Sequence, residues 1–139
     1  MARIRFVQDE TEVLNTLLKY FEKQGYTVHG ARTGEDAMAL VEKFPPDVAV
    51  LDVMLQEGPA GPGGKNGFEI CQDLRTSGFE RPILFLTART SEEDKIIAFD
   101  AGADNYVTKP FSLPVLEKRV AAMLKRAGGG RDMFQYGDV

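Results

Sequence analysis

Val48-Ala49-Val50-Leu51-Asp52 is the stretch that decides the fold. Four consecutive apolar residues leave no polar face, as expected of a strand covered on both sides of a parallel sheet. The run stops abruptly on a carboxylate. Toward the N-terminus, Ile4 to Val7 reads as a short strand ending at Gln8-Asp9-Glu10. Val13, Leu14, Leu17, Leu18 and Phe21 then line one helical face, and Gly25 supplies the stop. Tyr26 to His29 is a second short strand. Thr33, with Asp36 three residues on, caps a helix with Ala37, Leu40, Val41 and Phe44 on its buried face, closed by Pro45-Pro46.

Toward the C-terminus, residues 53–66 read as a long loop around Gly58-Pro59-Ala60-Gly61-Pro62-Gly63-Gly64. Phe68, Cys71 and Leu74 mark a third helix. Pro82 to Leu86 is a fourth strand ending at Thr87. Ser91 with Asp94 caps a fourth helix that runs to Gly102. Tyr106-Val107 is a fifth strand ending at Lys109-Pro110. Ser112 opens a fifth helix with Leu116, Val120, Met123 and Leu124 inward. Five strand–helix units in strict alternation predict an α/β fold: a doubly wound, five-stranded parallel sheet with helices on both faces. Right-handed crossovers favour the strand order 2-1-3-4-5.

Composition sets the class. The chain has 139 residues, 43% hydrophobic and 27% charged, which suits one globular domain. Seventeen Lys and Arg against 21 Asp and Glu give a net charge of −4, a poor match for a nucleic acid across the whole surface. The single cysteine, Cys71, excludes an intramolecular disulfide and fits a reducing, cytoplasmic setting. It reads as a small hydrophobe packed in the third helix. One histidine, His29, excludes a His-rich metal site and reads as structural or exposed. There is no membrane-length apolar run and no signal-peptide core after Met1.

In sheets of this order, ligands bind beyond the carboxyl ends of strands one and three, where the order reverses. Asp9 and Asp52 would meet there. Two facing carboxylates repel, and a divalent cation such as Mg²⁺ resolves the repulsion. Thr87 and Lys109 bring a hydroxyl and an ammonium from the ends of strands four and five. This set suits a transient dianionic group, and hence phosphoryl transfer onto a carboxylate.

The same residues carry a family resemblance. Gln8-Asp9-Glu10, Leu51-Asp52-Val53-Met54-Leu55, Asn66-Gly67-Phe68-Glu69, Leu86-Thr87-Ala88, Gly102-Ala103-Asp104-Asn105-Tyr106 and Lys109-Pro110-Phe111 stand in order. Over residues 3 to 127 the chain resembles the receiver (CheY-like) domain of a two-component response regulator, a flavodoxin-like three-layer sandwich. Each marker is weak alone; in register they are specific. The resemblance implies that Asp52 accepts phosphate from a sensor histidine kinase. It implies Mg²⁺ bound by Asp9, Asp52 and the Met54 backbone carbonyl. Lys109, before a cis peptide to Pro110, would pair with a phosphoryl oxygen, and Thr87 would hydrogen-bond another. Thr87 and Tyr106 would form the switch, Tyr106 turning inward. Such a domain assists its own phosphorylation and slow dephosphorylation without being a multiple-turnover enzyme.

Tyr136-Gly137-Asp138-Val139 resembles the opening strand of the winged-helix domain in OmpR/PhoB-type transcription regulators. Residues 1–127 are therefore expected to be the receiver and 128–139 a linker, breaking at Gly128-Gly129-Gly130 and leading to a DNA-binding domain absent from the chain. DNA would be reached only through that domain. Regulators of this class dimerise on phosphorylation through the fourth helix, fifth strand and fifth helix.

Three features depart from the family. Gln8 replaces a second acidic residue that reaches Mg²⁺ through water, so the expectation is a weak, water-mediated contact and lower Mg²⁺ affinity. Gln56 to Lys65 lengthen the loop after Asp52, read here as a tolerated surface insertion rather than a lid. The charge pairs of the dimer face are half missing. Val115 stands where an acidic partner for Lys95 is common, Asn105 replaces a usual partner of Arg119, and Ala121 occupies an often basic position opposite Asp100, with Asp104 and Glu117 nearby. Arg89 reads either as a residue tuning water access or as plain surface charge.

Other functions fit less well. A phosphorylation-independent interaction module on the same fold is the alternative, favoured by Gln8 alone. An aspartyl-phosphate hydrolase would need an acid where Met54 stands. A flavin binder would meet repulsion between its phosphate and Asp9 and Glu10.

Overall fold

The computed structural model describes residues 2–53 and 66–128. The expected long loop, the Met54 carbonyl and the strand expected at Tyr136–Val139 lie outside the described residues. Among the described residues the elements alternate: β1 (Arg3–Val7), α1 (Thr11–Lys23), β2 (Thr27–Ala31), α2 (Gly34–Lys43), β3 (Val48–Leu51), α3 (Gly67–Thr76), β4 (Ile83–Thr87), α4 (Glu92–Ala101), β5 (Asn105–Thr108) and α5 (Leu113–Gly128). All strand pairs are parallel, and the sheet order is β2-β1-β3-β4-β5, as the alternation predicts.

The apolar strands divide by parity, because successive side chains point to opposite faces. Ile4, Phe6, Val48, Val50, Leu84 and Leu86 pack under α1 and α5, against Leu14, Leu17, Phe21, Leu116, Val120 and Met123. Val7, Ala49, Leu51, Ile83 and Phe85 pack on the other face, against Ala37, Ile70, Leu74 and Ala98. Each fully buried Leu, Ile or Phe contributes roughly 1.5–3 kcal/mol. Two covered faces explain why the central strands need unbroken apolar runs. Cys71 is fully buried among them, and burial pushes its thiol up to about 11, so it packs as a small hydrophobe.

The helix starts follow the capping residues. Thr33 Oγ1 accepts from the Asp36 N–H (3.1 Å), Asn66 Oδ1 from Glu69 N–H (2.9 Å) and Ser91 Oγ from Asp94 N–H (3.0 Å). Pro114 sits in the first turn of α5, where a missing N–H is harmless.

Two sequence expectations change. The second strand runs to Ala31 rather than stopping at His29, since Phe6 and Val7 of β1 continue to pair with Gly30 and Ala31. Phe44 is not on the buried face of α2. The helix ends at Lys43, and Phe44 lies 45% exposed with its ring stacked on His29 at 5.5 Å. Its carbonyl accepts from Arg5 Nη2 (3.3 Å), which gives a partner to a guanidinium buried in β1.

The end of the sheet opposite Asp52 is tied by Arg75 of α3. Its guanidinium donates to the carbonyls of Gly102, Phe79 and Arg81 and to Asp104 Oδ2, at 2.7–3.0 Å. Asp104 Oδ2 also accepts from the Ile83 N–H (2.9 Å). Gly102 ends α4 at φ +112°, and a Cβ there would meet Arg75 Cγ at 2.8 Å. One planar fork thus joins α3, β4 and the α4–β5 turn. Charge-assisted hydrogen bonds contribute about 1.5–3 kcal/mol each when a partner is removed, but Arg75 is partly exposed, which discounts the ion pair. Arg75→Ala is expected to lower stability by about 2–4 kcal/mol in urea denaturation, and Arg75→Lys to recover little because an ammonium cannot span these acceptors.

Candidate functional site

The register brings the strand ends together. Val7 pairs with both Ala31 and Leu51, Leu51 with Phe85, and Thr87 with Thr108. Asp52, one residue past β3, donates its N–H to the Val7 carbonyl (3.1 Å) and is only 4% exposed. Its Oδ2 accepts from Lys109 Nζ at 3.0 Å and from Gln8 Nε2 at 2.9 Å. Lys109 follows β5, held by its own N–H to the Thr87 carbonyl (2.8 Å), and its peptide to Pro110 is cis. Its ammonium also stands 4.0 Å from Glu10 Oε1.

Gln8 is 2% exposed and fixed at both ends of its amide, because Oε1 accepts from the Glu10 N–H (3.3 Å). The orientation follows from the partners: turned over, the amide oxygen would face a carboxylate oxygen. Asp9, half-buried, follows at the same edge, and its carbonyl accepts from Arg32 Nη2 (3.3 Å). Thr87 is fully buried, with Oγ1 accepting from the Arg89 N–H (3.3 Å). Gln8, Asp52 and Lys109 are thus in direct contact, with Thr87 and Asp9 on the flanking strand ends.

Tyr106 lies on β5 with its ring 6.1 Å from Phe85 and its hydroxyl donating to the Arg89 carbonyl (3.0 Å). Burial, then the Asp94 charge, pushes its phenol above the usual range, so it remains a donor at neutral pH. Arg89 is not loose surface charge, because its side chain is paired with Asp94. Its Nε and Nη2 grip Asp94 at 3.0 Å each, and Ser91 Oγ donates to the same carboxylate (2.8 Å). The hydrogen bonds from Arg89 and Ser91 hold the Asp94 carboxyl below its ordinary range. The β4–α4 loop is thereby closed by Arg89, with Thr87 and Tyr106 bonded to its backbone.

Sequence reasoning missed the role of Gly67. α3 begins against the back of the site, with Gly67 N–H donating to the Val53 carbonyl (3.1 Å). A Cβ on Gly67 would come within 2.3 Å of the Asp52 carbonyl oxygen, so only glycine allows this approach. The readable signal was Asn66-x-x-Glu69, which forms a capping box.

On the face formed by α4, β5 and α5, two of the acids named from sequence, Asp104 and Glu117, are engaged within the chain. Asp104 is held by Arg75, and Glu117 accepts from the Tyr26 hydroxyl (2.8 Å), whose pKa burial and that carboxylate push up to about 12. Arg119 Nη1 reaches Asn105 Oδ1 at 3.5 Å. Ile96, Phe99 and Val115 are exposed beside them.

The fold has known counterparts. A family model described as the response regulator receiver domain matches residues 4–121. The chain belongs to that family. The BeF3-activated N-terminal receiver domain of Klebsiella pneumoniae RstA is 31% identical, with a TM-score of 0.79 over 88% of this chain and 98% of that one. The receiver domain of a Francisella response regulator is 29% identical, at 0.81 over 91% and 99%. A CheY-like receiver from Methanospirillum hungatei is 25% identical, at 0.82 over 91% and 95%. The receiver fold and its place in two-component phosphorelay signalling follow. Among the described residues no helix is long and apolar enough to cross a membrane.

The close approach at α3 yields a direct test. Gly67→Ala is expected to destabilise this receiver by about 1–3 kcal/mol, the usual range for overpacking, because the clash is with backbone. An unchanged urea midpoint would contradict the packing of α3 on Asp52.

Proposed function

We propose that this receiver is a phosphoacceptor switch in which Asp52 takes a phosphoryl group from a sensor histidine kinase. The observation that carries the reading is the buried Asp52 carboxylate at the switch point of the sheet, with Lys109 on the same oxygen. A carboxylate oxygen attacks the phosphorus of the donor, the bond from phosphorus to the donor's histidine nitrogen breaks, and an acyl phosphate forms. Lys109 then holds a phosphoryl oxygen by charge, and the Thr87 hydroxyl donates to another.

Receiver domains generally bind Mg²⁺ at the phosphorylation site. Asp9 and Asp52 are hard oxygen donors at adjacent strand ends and fit that ion, which prefers one or two carboxylates with waters and phosphate oxygens. Asp9, Asp52 and the Met54 carbonyl would hold it, and Gln8 would reach it through water. The ion would neutralise charge on the transferring group.

Phosphorylation gives Thr87 a new acceptor. Its hydroxyl now accepts from the Arg89 N–H, and Tyr106 bonds the same residue's carbonyl. Drawing Thr87 toward the phosphoryl group disturbs this loop, frees Tyr106 to turn inward and alters the α4–β5–α5 face. On this reading the domain is not a turnover enzyme. It acts in the cytoplasm as the receiver of an OmpR/PhoB-type transcription regulator, dimerises through that face and reaches DNA through an attached winged-helix domain. With Asp104 and Glu117 engaged internally, the dimer contact rests on apolar residues such as Ile96 and Val115 rather than on a full set of charge pairs.

Incubation with a small-molecule phosphodonor and Mg²⁺ should add one phosphoryl group by intact mass. The adduct should be absent in Asp52→Asn and in chelator. No adduct from either a small donor or a cognate kinase would favour a phosphorylation-independent interaction module.

A further inference from the structure

The Gln8 side chain sits where an acid would add a third carboxylate beside Asp9 and Asp52, and it presents the opposite polarity. Its N–H points at Asp52 Oδ2 (2.9 Å), its oxygen is taken by the Glu10 N–H (3.3 Å), and it is 2% exposed. We propose that Gln8 is a positioning residue that stands in for the divalent cation in the resting receiver: its amide holds Asp52, and a cation drawing on Oδ2 must turn that amide over. The inference rests on the reading of Asp52 as the phosphoacceptor, but it concerns a separate step.

The argument is one of charge and hydrogen-bond capacity. A carboxylate oxygen has two lone pairs, and Oδ2 already accepts from Lys109 Nζ and Gln8 Nε2. Burial makes an uncompensated charge costly, so these two donors offset the desolvation of Asp52 without a metal. A cation nearing Oδ2 meets the ammonium and the positive end of the amide. Turning the amide over would offer Oε1 instead, at the cost of two hydrogen bonds: Nε2 to Asp52 and Glu10 N–H to Oε1. The long 3.3 Å bond to Glu10 is the weaker of the two. An acid at this position would do the reverse, raising repulsion in the empty site and attraction in the filled one.

Two variants separate charge from hydrogen bonding. Mg²⁺ titrations followed by calorimetry, with melting in chelator and in saturating Mg²⁺, are the readouts. Gln8→Glu should bind Mg²⁺ about tenfold tighter, as expected of an added nearby charge. It should melt below wild type in chelator and regain that loss in Mg²⁺. Gln8→Ala adds no charge but removes the donor; it should also melt lower in chelator, with a smaller gain in Mg²⁺ affinity. In wild type the Gln8 side-chain amide resonances should shift with the same Mg²⁺ midpoint. Unchanged Mg²⁺ affinity in Gln8→Glu, or an unchanged chelator melt in Gln8→Ala, overturns the proposal. So do Gln8 amide resonances that ignore Mg²⁺. Should Gln8→Glu not fold in chelator, its recovery on refolding in Mg²⁺ supports the proposal and failure in both leaves Gln8→Ala to decide. Phosphoryl adduct formation by wild type in saturating Mg²⁺ is scored apart, so failure of the phosphoacceptor reading would show as normal Mg²⁺ effects without an adduct.

Discussion

The buried carboxylate of Asp52 is the constraint on which the site depends. A charge that is 4% exposed is expensive unless donors replace lost water. Lys109 from the end of β5 and Gln8 from the end of β1 supply them on one oxygen. Those two residues reach Asp52 only because the parallel register aligns the carboxyl ends of the strands. The Asp52 N–H on the Val7 carbonyl and the Lys109 N–H on the Thr87 carbonyl extend that alignment past the last paired residues. The apolar run Val48–Leu51 therefore does two jobs: it fills both core layers and delivers a carboxylate to the switch point.

A second set of contacts gives the site a route outward. Thr87 of β4 and Tyr106 of β5 each bond the backbone of Arg89 in the β4–α4 loop, and the Arg89 guanidinium grips Asp94. A group that draws the Thr87 hydroxyl toward itself would act on a closed loop rather than on a free side chain. At the far end of the sheet, Arg75 ties α3 to β4 and to the turn before β5, a fixed base for the proposed switch. Local charge chemistry biasing a packed two-state element is the physical content of such a switch.

Much of this was legible in the sequence because it rests on local chemistry. Periodicity, Ser91 and Thr33 caps and the strand-ending Asp52, Thr87 and Lys109 are written within a few residues of where they act. Phe44 was misplaced because helical spacing continued to it on paper, while Pro45 and Pro46 ended α2 at Lys43. Gly67 escaped because its reason is the nearness of the residue 52 backbone, where a Cβ would come within 2.3 Å of the carbonyl oxygen, which no local pattern encodes. The partners of Arg75, Asp104 and Glu117 escape a local reading, since contacts 27 to 91 residues away are set by topology. Gln8 was recognised as a departure, but the direction of its amide needed the geometry of both its neighbours.

The most direct measurement of the central claim is chemical mapping of the acceptor. Borohydride reduces an aspartyl phosphate to homoserine, so the chain exposed to phosphodonor and Mg²⁺, reduced and digested, reports the modified residue by peptide mass spectrometry. The account predicts homoserine at position 52 and nowhere else. Homoserine at another carboxylate, or none in a sample that carries a phosphoryl group by intact mass, would contradict it.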